Sequence, residues 1–281
     1  MPYNVTYIGN TAKISEYILF NENYNLKYLI CEKDRVTDEL LTFSLIRNIK
    51  LLLITNTKEL IKVINNMENI DFFIVHSFGK KIPINKIKYK EFYNLHPSFL
   101  PFYKGRNPIF WATIKNEKFV GMTLHKINEY FDEGDIISQI KIPYYFWETP
   151  YEIEEKLLNY TPKLLNDLIK YKNGTIKSKK NKKGYYYPIF SEKDIIIDLD
   201  NDDFSLIYNK IRSQSSYKGA KIIFKNTILW IKQCTFTFIN KNTDDKQHTF
   251  YIKNNYLFIH IRNNIWIKSN KFLLEKKQGE I

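Results

Sequence analysis

Asn94 and His96 stand two residues apart, and Asp132 follows in the run Phe131-Asp132-Glu133-Gly134. Together these side chains suit the transfer of an acyl group to nitrogen. An amine that attacks an acyl carbon creates an oxyanion and an ammonium at once. An Asn amide can donate to the oxyanion, and a neutral imidazole can take the proton. A carboxylate can hold the imidazole in one tautomer or pass protons through water. Each residue also has an ordinary reading. Asn94 can be a turn residue, His96 a hydrogen-bonded core or loop histidine, and Asp132 a turn former beside Gly134. The other histidines, His76, His125, His248 and His260, show no metal-ligand spacing with cysteine or carboxylates, so no metal is expected.

The elements that must position these residues follow from the apolar pattern. Strands are expected at 3–8, 26–31, 50–54 and 71–75, with helices at 12–20, 37–47 and 58–66 between them. Strand–helix alternation with continuous apolar strands predicts an α/β fold. It is a Rossmann-like, mostly parallel sheet with helices on both faces. Asn94 and His96 close a further short apolar run. Their spacing puts both side chains on one face of a strand, which Pro97 ends because it cannot donate to the ladder. They would thus sit at the carboxyl edge of the sheet, where such sheets bind ligands. Pro97, Pro101, Gly105 and Pro108 stiffen the loop that follows.

A long helix is expected from Thr149 to Gly174, with Thr149 and Glu152 at capping-box spacing and Pro150 in the first turn. The basic run 177–183 reads as a linker. Beyond it, a helix at 202–212 precedes strands at 220–224, 227–238, 249–253, 256–261, 265–268 and 271–274. The pairs Asn254-Asn255 and Asn263-Asn264 suit tight hairpins. The expected organisation is therefore a catalytic domain over 1–183 and a small, mainly β C-terminal domain over 184–281.

Composition narrows the function classes. The chain has 281 residues, 44% of them hydrophobic, which is enough for a substantial core. No apolar run is long enough to span a bilayer, and the N-terminus lacks the pattern of a secretory signal. Cys31 and Cys234 read as buried free thiols, which fits a cytoplasmic protein. Neither a G-x-G-x-x-G fingerprint nor a P-loop is present, which argues against a nicotinamide or ATP enzyme. The formal net charge of +13 accompanies a general richness in Lys, Ile, Asn and Tyr, so it reads as compositional bias rather than a nucleic-acid surface.

The window Asn94-Leu95-His96-Pro97-Ser98-Phe99-Leu100-Pro101, with Asp132-Glu133-Gly134 downstream, resembles the folate-dependent formyltransferases. That resemblance implies N10-formyltetrahydrofolate as the formyl donor. It implies Asn94 as the polariser of the formyl group, His96 as general acid or base, and Asp132 as its orienting partner. It also places the folate against Lys81, Ile82, Arg106, Asn128 and Asp132, and gives His125 an inward-facing position. Ile197-Asp198, Ile211-Arg212 and Tyr217-Lys218-Gly219-Ala220 resemble the C-terminal domain of the tRNA and sugar enzymes. The family's Tyr-Pro-Gly-Ala is altered here to Tyr-Lys-Gly-Ala.

Among the branches, the chain is most similar to the sugar-nucleotide N-formyltransferases. Methionyl-tRNA formyltransferases carry a long basic insertion after the second strand, where this chain has only Glu32-Lys33-Asp34-Arg35-Val36-Thr37. The resemblance thus implies a nucleotide-linked amino deoxy sugar, with dTDP as the expected carrier, as acceptor for a surface glycan such as O-antigen. Lys80 and Lys104 are candidates for its diphosphate and Tyr217 for its base. A methionyl-tRNA formyltransferase is the alternative, and a non-catalytic binding protein on the same scaffold is a further one. A homodimer is expected from the exposed strands of the C-terminal β domain.

Overall fold

The computed structural model describes residues 1–240 and 248–276. They form two compact units that interleave along the chain. The first comprises residues 1–108, 119–142 and 154–187; the second comprises 109–118, 143–153 and the described part of 188–281.

The first unit opens with β1 (Tyr3–Ile8), α1 (Ala12–Leu19), β2 (Tyr24–Glu32), α2 (Asp38–Arg47), β3 (Lys50–Ile54), α3 (Thr57–Asn65), β4 (Phe72–Val75) and β5 (Phe92–His96). Local chemistry sets the helix starts. Thr37 Oγ1 accepts from the Leu40 N–H to begin α2, and Asn56 caps α3 through the Glu59 N–H. Asn48, in the left-handed region at φ 51°, ends α2. The short pair β6 (Lys104–Gly105) comes next, and α4 (Pro108–Ile114) then passes into the second unit. β7 (Phe119–Lys126) and β8 (Ile136–Pro143) complete a seven-stranded sheet of order β3-β2-β1-β4-β5-β7-β8. β1 to β5 pair in parallel, as the alternation predicts, and β7 runs antiparallel to β5. The order reverses between β1 and β4, which opens the crevice that parallel sheets use for ligands. All four residues of β4 are buried. Ile8, Ile30, Ile54, Leu60, Ile64, Phe73 and Phe92 form one core cluster of this unit. Each such side chain contributes about 1.5–3 kcal/mol on burial.

The expected long helix after Thr149 is two helices, α5 (Pro150–Leu158) and α6 (Thr161–Lys172). The Thr149–Glu152 capping box forms at the start of α5 as its spacing implies. The apolar periodicity continues across the break, but Pro162 has no N–H to continue a helix and instead opens α6 in its first turn. After α6 the chain adds β9 (Tyr186–Tyr187), which pairs with β6.

The second unit contains α7 (Glu192–Ile195), α8 (Phe204–Ser213) and five strands: β10 (Ala220–Phe224), β11 (Thr227–Phe238), β12 (Phe250–Lys253), β13 (Tyr256–Arg262) and β14 (Ile265–Lys276). They form an antiparallel sheet of order β10-β11-β14-β13-β12 around Ile207, Ile211, Leu229, Ile231, Leu257 and Ile259. Asn254, Asn255, Asn263 and Asn264 all adopt positive φ, which is what two-residue hairpins require. The two strands expected at 265–268 and 271–274 are one strand, β14, whose irregularity is absorbed by register shifts opposite Gln233. Cys31 and Cys234 are both buried and unbridged.

Candidate active site

β5 delivers Asn94 and His96 to the carboxyl end of the sheet, beside the β1–β4 crevice. Antiparallel pairing sets His125 of β7 opposite Asn94. The loop between β7 and β8 returns Asp132 to the same place. Asp132 Oδ1 lies 3.5 Å from His96 Nδ1, 3.5 Å from His125 Nε2 and 3.4 Å from Asn94 Nδ2. Its other oxygen accepts from the Gly105 N–H at 2.8 Å. Asp132 holds a left-handed backbone at φ 53°, and Asn181 donates to its carbonyl at 2.8 Å. The loop is tightly seated: a Cβ on Gly134 would lie 1.8 Å from the Lys126 carbonyl oxygen.

The hydrogen bonds fix the proton positions. His96 Nε2 lies 3.0 Å from the carbonyl oxygen of Tyr103, which can only accept, so this nitrogen carries a proton. The neutral ring then has its lone pair on Nδ1, facing Asp132. His125 Nδ1 meets the Lys126 carbonyl at 2.7 Å, which leaves Nε2 to accept from the Asn94 amide at 3.2 Å. His125 thereby orients Asn94.

His96 is 4% exposed. Burial lowers its imidazole below the ordinary 6.5, against the opposing pull of Asp132, so the ring is neutral near pH 7. Burial alone would raise the Asp132 carboxyl. The charge that His96 carries as imidazolium, the contact with His125 and the Gly105 N–H outweigh it and hold the carboxyl well below the usual carboxylate range. The result is an uncharged base next to a fixed negative charge, with an amide donor at hand.

The other candidate residues fall into different surroundings. Arg106 Nη2 donates to the Gly79 carbonyl at 2.6 Å. Lys80 pairs at 2.7 Å with Glu32, which is buried and also accepts from the Gly79 N–H. Arg35 joins Glu32 at 3.1 Å, so three cations gather around Gly79. Lys81 is exposed, whereas Ile82 is buried in the first unit's core. Asn128 accepts from the Tyr130 N–H in a local turn. Lys104 is buried, its ammonium 3.2 Å from the Lys182 carbonyl and 3.5 Å from Glu133. Tyr217 belongs to the second unit, where it packs edge-on against Phe190. Sequence reasoning passed over the Tyr103 carbonyl and the Gly105 N–H, because main-chain partners leave no residue-type signal. Among the described residues no cluster of histidine, cysteine and carboxylates could hold a metal ion, and no helix is long and apolar enough to cross a membrane.

Residues 54–169, which contain this constellation, match the model of the formyl transferase family. Methionyl-tRNA formyltransferase of Thermotoga maritima is 30% identical over 202 residues, covering 70% of this chain and 63% of that protein. The bifunctional polymyxin resistance protein ArnA of Wigglesworthia glossinidia brevipalpis is 32% identical over 62% of this chain and 29% of its own length. The chain thus spans less than two thirds of these relatives. Among solved structures, the sugar 3N-formyl transferase WlaRD, in the presence of dTDP and 5-N-formyl-THF, superposes with a TM-score of 0.68. It is 24% identical and matches 96% of this chain and 98% of its own. An N-formyltransferase from Helicobacter canadensis, in complex with folinic acid and dTDP-3-aminofucose, also scores 0.68 at 22% identity over 96% of this chain. At these identities the likeness establishes the fold, including the antiparallel sheet that follows the matched segment.

Proposed function

We propose that the protein transfers a formyl group from N10-formyltetrahydrofolate to the amine of a nucleotide-linked amino deoxy sugar, with dTDP as the carrier. The observation that carries formyl transfer is the meeting of Asn94, His96 and His125 on the Asp132 carboxylate within one buried cluster. Asn94 Nδ2 has two hydrogens, one directed at His125 and one at Asp132 over a long 3.4 Å. The second is free to turn to the oxygen that gains charge as the amine adds to the formyl carbon. His96 Nδ1 takes the proton that the amine loses, directly or through water, and returns it to the departing folate nitrogen. Asp132 stabilises the imidazolium while it exists, and Tyr103 holds the ring in place.

The sugar acceptor is supported by the short connection between β2 and α2, which leaves no room for a basic insertion. It is also supported by likeness along nearly the whole chain to proteins crystallised with dTDP or a dTDP-amino sugar. The cations around Gly79 are the groups we assign to the anionic part of the ligands. Methionyl-tRNA is the second reading, favoured by the names of the sequence relatives and by the +13 charge. The second sheet ends at β10 and β12, and pairing of such edges would give the homodimer we also propose. Only monomer in sedimentation at high concentration would refute that assembly.

The acceptor is tested by offering N10-formyltetrahydrofolate with dTDP-linked 3-amino and 4-amino deoxy sugars and, in parallel, with charged initiator methionyl-tRNA. Formylated sugar nucleotide without formylated tRNA is the expected outcome. Product on tRNA alone would replace the sugar reading with the second one.

A further inference from the structure

We infer that His76 is a positioning residue for the reaction: it holds the main chain between Asn94 and His96 through the carbonyl of Leu95. The inference rests on the proposed role of those two side chains, but its geometry stands by itself. β4 and β5 pair in parallel with Phe73 opposite Phe92 and Val75 opposite Asn94, and the Phe73 N–H bonds to the Glu91 carbonyl at 3.0 Å. Two residues per step along that ladder, the Leu95 carbonyl falls to the Ser77 N–H. Ser77 cannot supply it, because β4 has ended at Val75 and the Ser77 backbone turns left-handed at φ 51°. The main-chain N–H of His76 is also committed, to the Ile8 carbonyl of β1 at 3.0 Å.

The His76 side chain fills the gap. It is fully buried, and Nδ1 lies 2.7 Å from the Leu95 oxygen. A carbonyl only accepts, so Nδ1 carries the proton. Nε2 is buried without a hydrogen-bond partner, with Glu154 Oε1 at 3.7 Å. One residue thus ties β1 through its backbone and β5 through its ring, where the sheet order reverses. Its own backbone has little room to move, since a Cβ on Gly9 would meet the His76 carbonyl oxygen at 2.2 Å. Ending β4 before Ser77 opens the crevice but orphans the acceptor that lies between the two reacting side chains. His76 closes that gap without refilling the crevice.

The test uses the two amides as atom-specific substitutes. Asparagine can place its N–H where Nδ1 stands; glutamine places its amide near Nε2; leucine supplies neither. Formyl transfer, thermal unfolding and the His96 ring resonances are measured for the wild type, H76N, H76Q and H76L. We expect H76N to stay within about fivefold of wild-type kcat, and H76Q and H76L to lose on the order of 100-fold with KM for the formyl donor little changed, the scale of a small misplacement of reacting groups. The His96 resonances should shift in H76Q and H76L and stay near their wild-type positions in H76N. Equal losses in all three variants, or losses that follow the unfolding temperature alone, would reduce His76 to a packing residue and overturn the inference. So would wild-type kcat and unmoved His96 resonances in H76L. Absence of formyl transfer in the wild type would sink the proposed reaction instead, and the resonances would still decide the geometry.

Discussion

At the scale of single residues, hydrogen bonds set the role proposed for each ring nitrogen. Tyr103 and Lys126 carbonyls occupy His96 Nε2 and His125 Nδ1, so the other nitrogen of each ring turns toward Asp132, and that of His125 also meets the Asn94 amide. H96A should lower kcat by about 10²–10⁴-fold, the usual contribution of a positioned acid–base group, without matching loss of folded stability. Near wild-type turnover in H96A would remove His96 from the mechanism. The pH profile follows from the same contacts. A base must be neutral to act, and burial lowers the His96 pKa, so the acid limb of kcat/KM should fall below the ordinary imidazole value of 6.5. Asp132 raises the His96 pKa, so D132N should carry the acid limb to still lower pH while depressing the plateau. A D132N limb displaced upward would contradict the pairing. The three candidate side chains were legible in the sequence through their types and through the resemblance of residues 94–101 and 132–134 to the formyltransferases, and the structure brings them together. Their carbonyl partners and His76 were not, because a main-chain oxygen has no letter and His76 lies just past the end of β4, 19 residues from its acceptor.

At the scale of elements, the loop from Pro97 to Gly105 acts as a backbone scaffold for Asp132. Gly105 sits at φ 93°, and a Cβ there would come within 2.3 Å of the Tyr187 carbonyl oxygen. G105A should therefore push the β6–β9 pair apart, weaken the N–H contact to Asp132 and reduce kcat by about tenfold or more. Unchanged kcat in G105A would show that the loop adjusts without disturbing Asp132. In the second unit, Arg212 is buried and donates to the Tyr145 and Glu148 carbonyls and to Asn209. R212L strands those acceptors and should cost about 2–4 kcal/mol in denaturant unfolding. A loss under half a kilocalorie, about the noise of a surface substitution, would mean that water replaces the guanidinium. Apolar runs made the parallel strands easy to read, whereas the helix break at Pro162 was hidden because the apolar stripe of α5 and α6 shares one period. The joining of two expected strands into β14 was hidden for a different reason. Its middle, Ser269-Asn270-Lys271, has turn-like residues, and a long partner, β11, keeps it extended.

At the scale of the whole molecule, the proposed sugar acceptor and the methionyl-tRNA alternative differ in charge. Formal charge of +13 would favour a polyanion, and log affinity for such a partner falls steeply with log salt. A small nucleotide-linked sugar presents two phosphates, so its KM should change only modestly between low and physiological salt. A steep salt dependence of KM would move the balance to tRNA. Fold class and the mainly β C-terminal region were legible from alternation and from the paired asparagines. The interleaving of the two units was not, because segments 109–118 and 143–153 carry no compositional boundary.

The most direct measurement is formyl transfer from N10-formyltetrahydrofolate to a dTDP-linked amino deoxy sugar, followed in single turnover by the wild type and by H96A. Formylated amine from the wild type, with a rate on the order of 100-fold or more lower in H96A, is the predicted result. Equal rates in the two proteins, or no transfer by the wild type to any amine offered, would contradict formyl transfer centred on Asn94, His96 and Asp132.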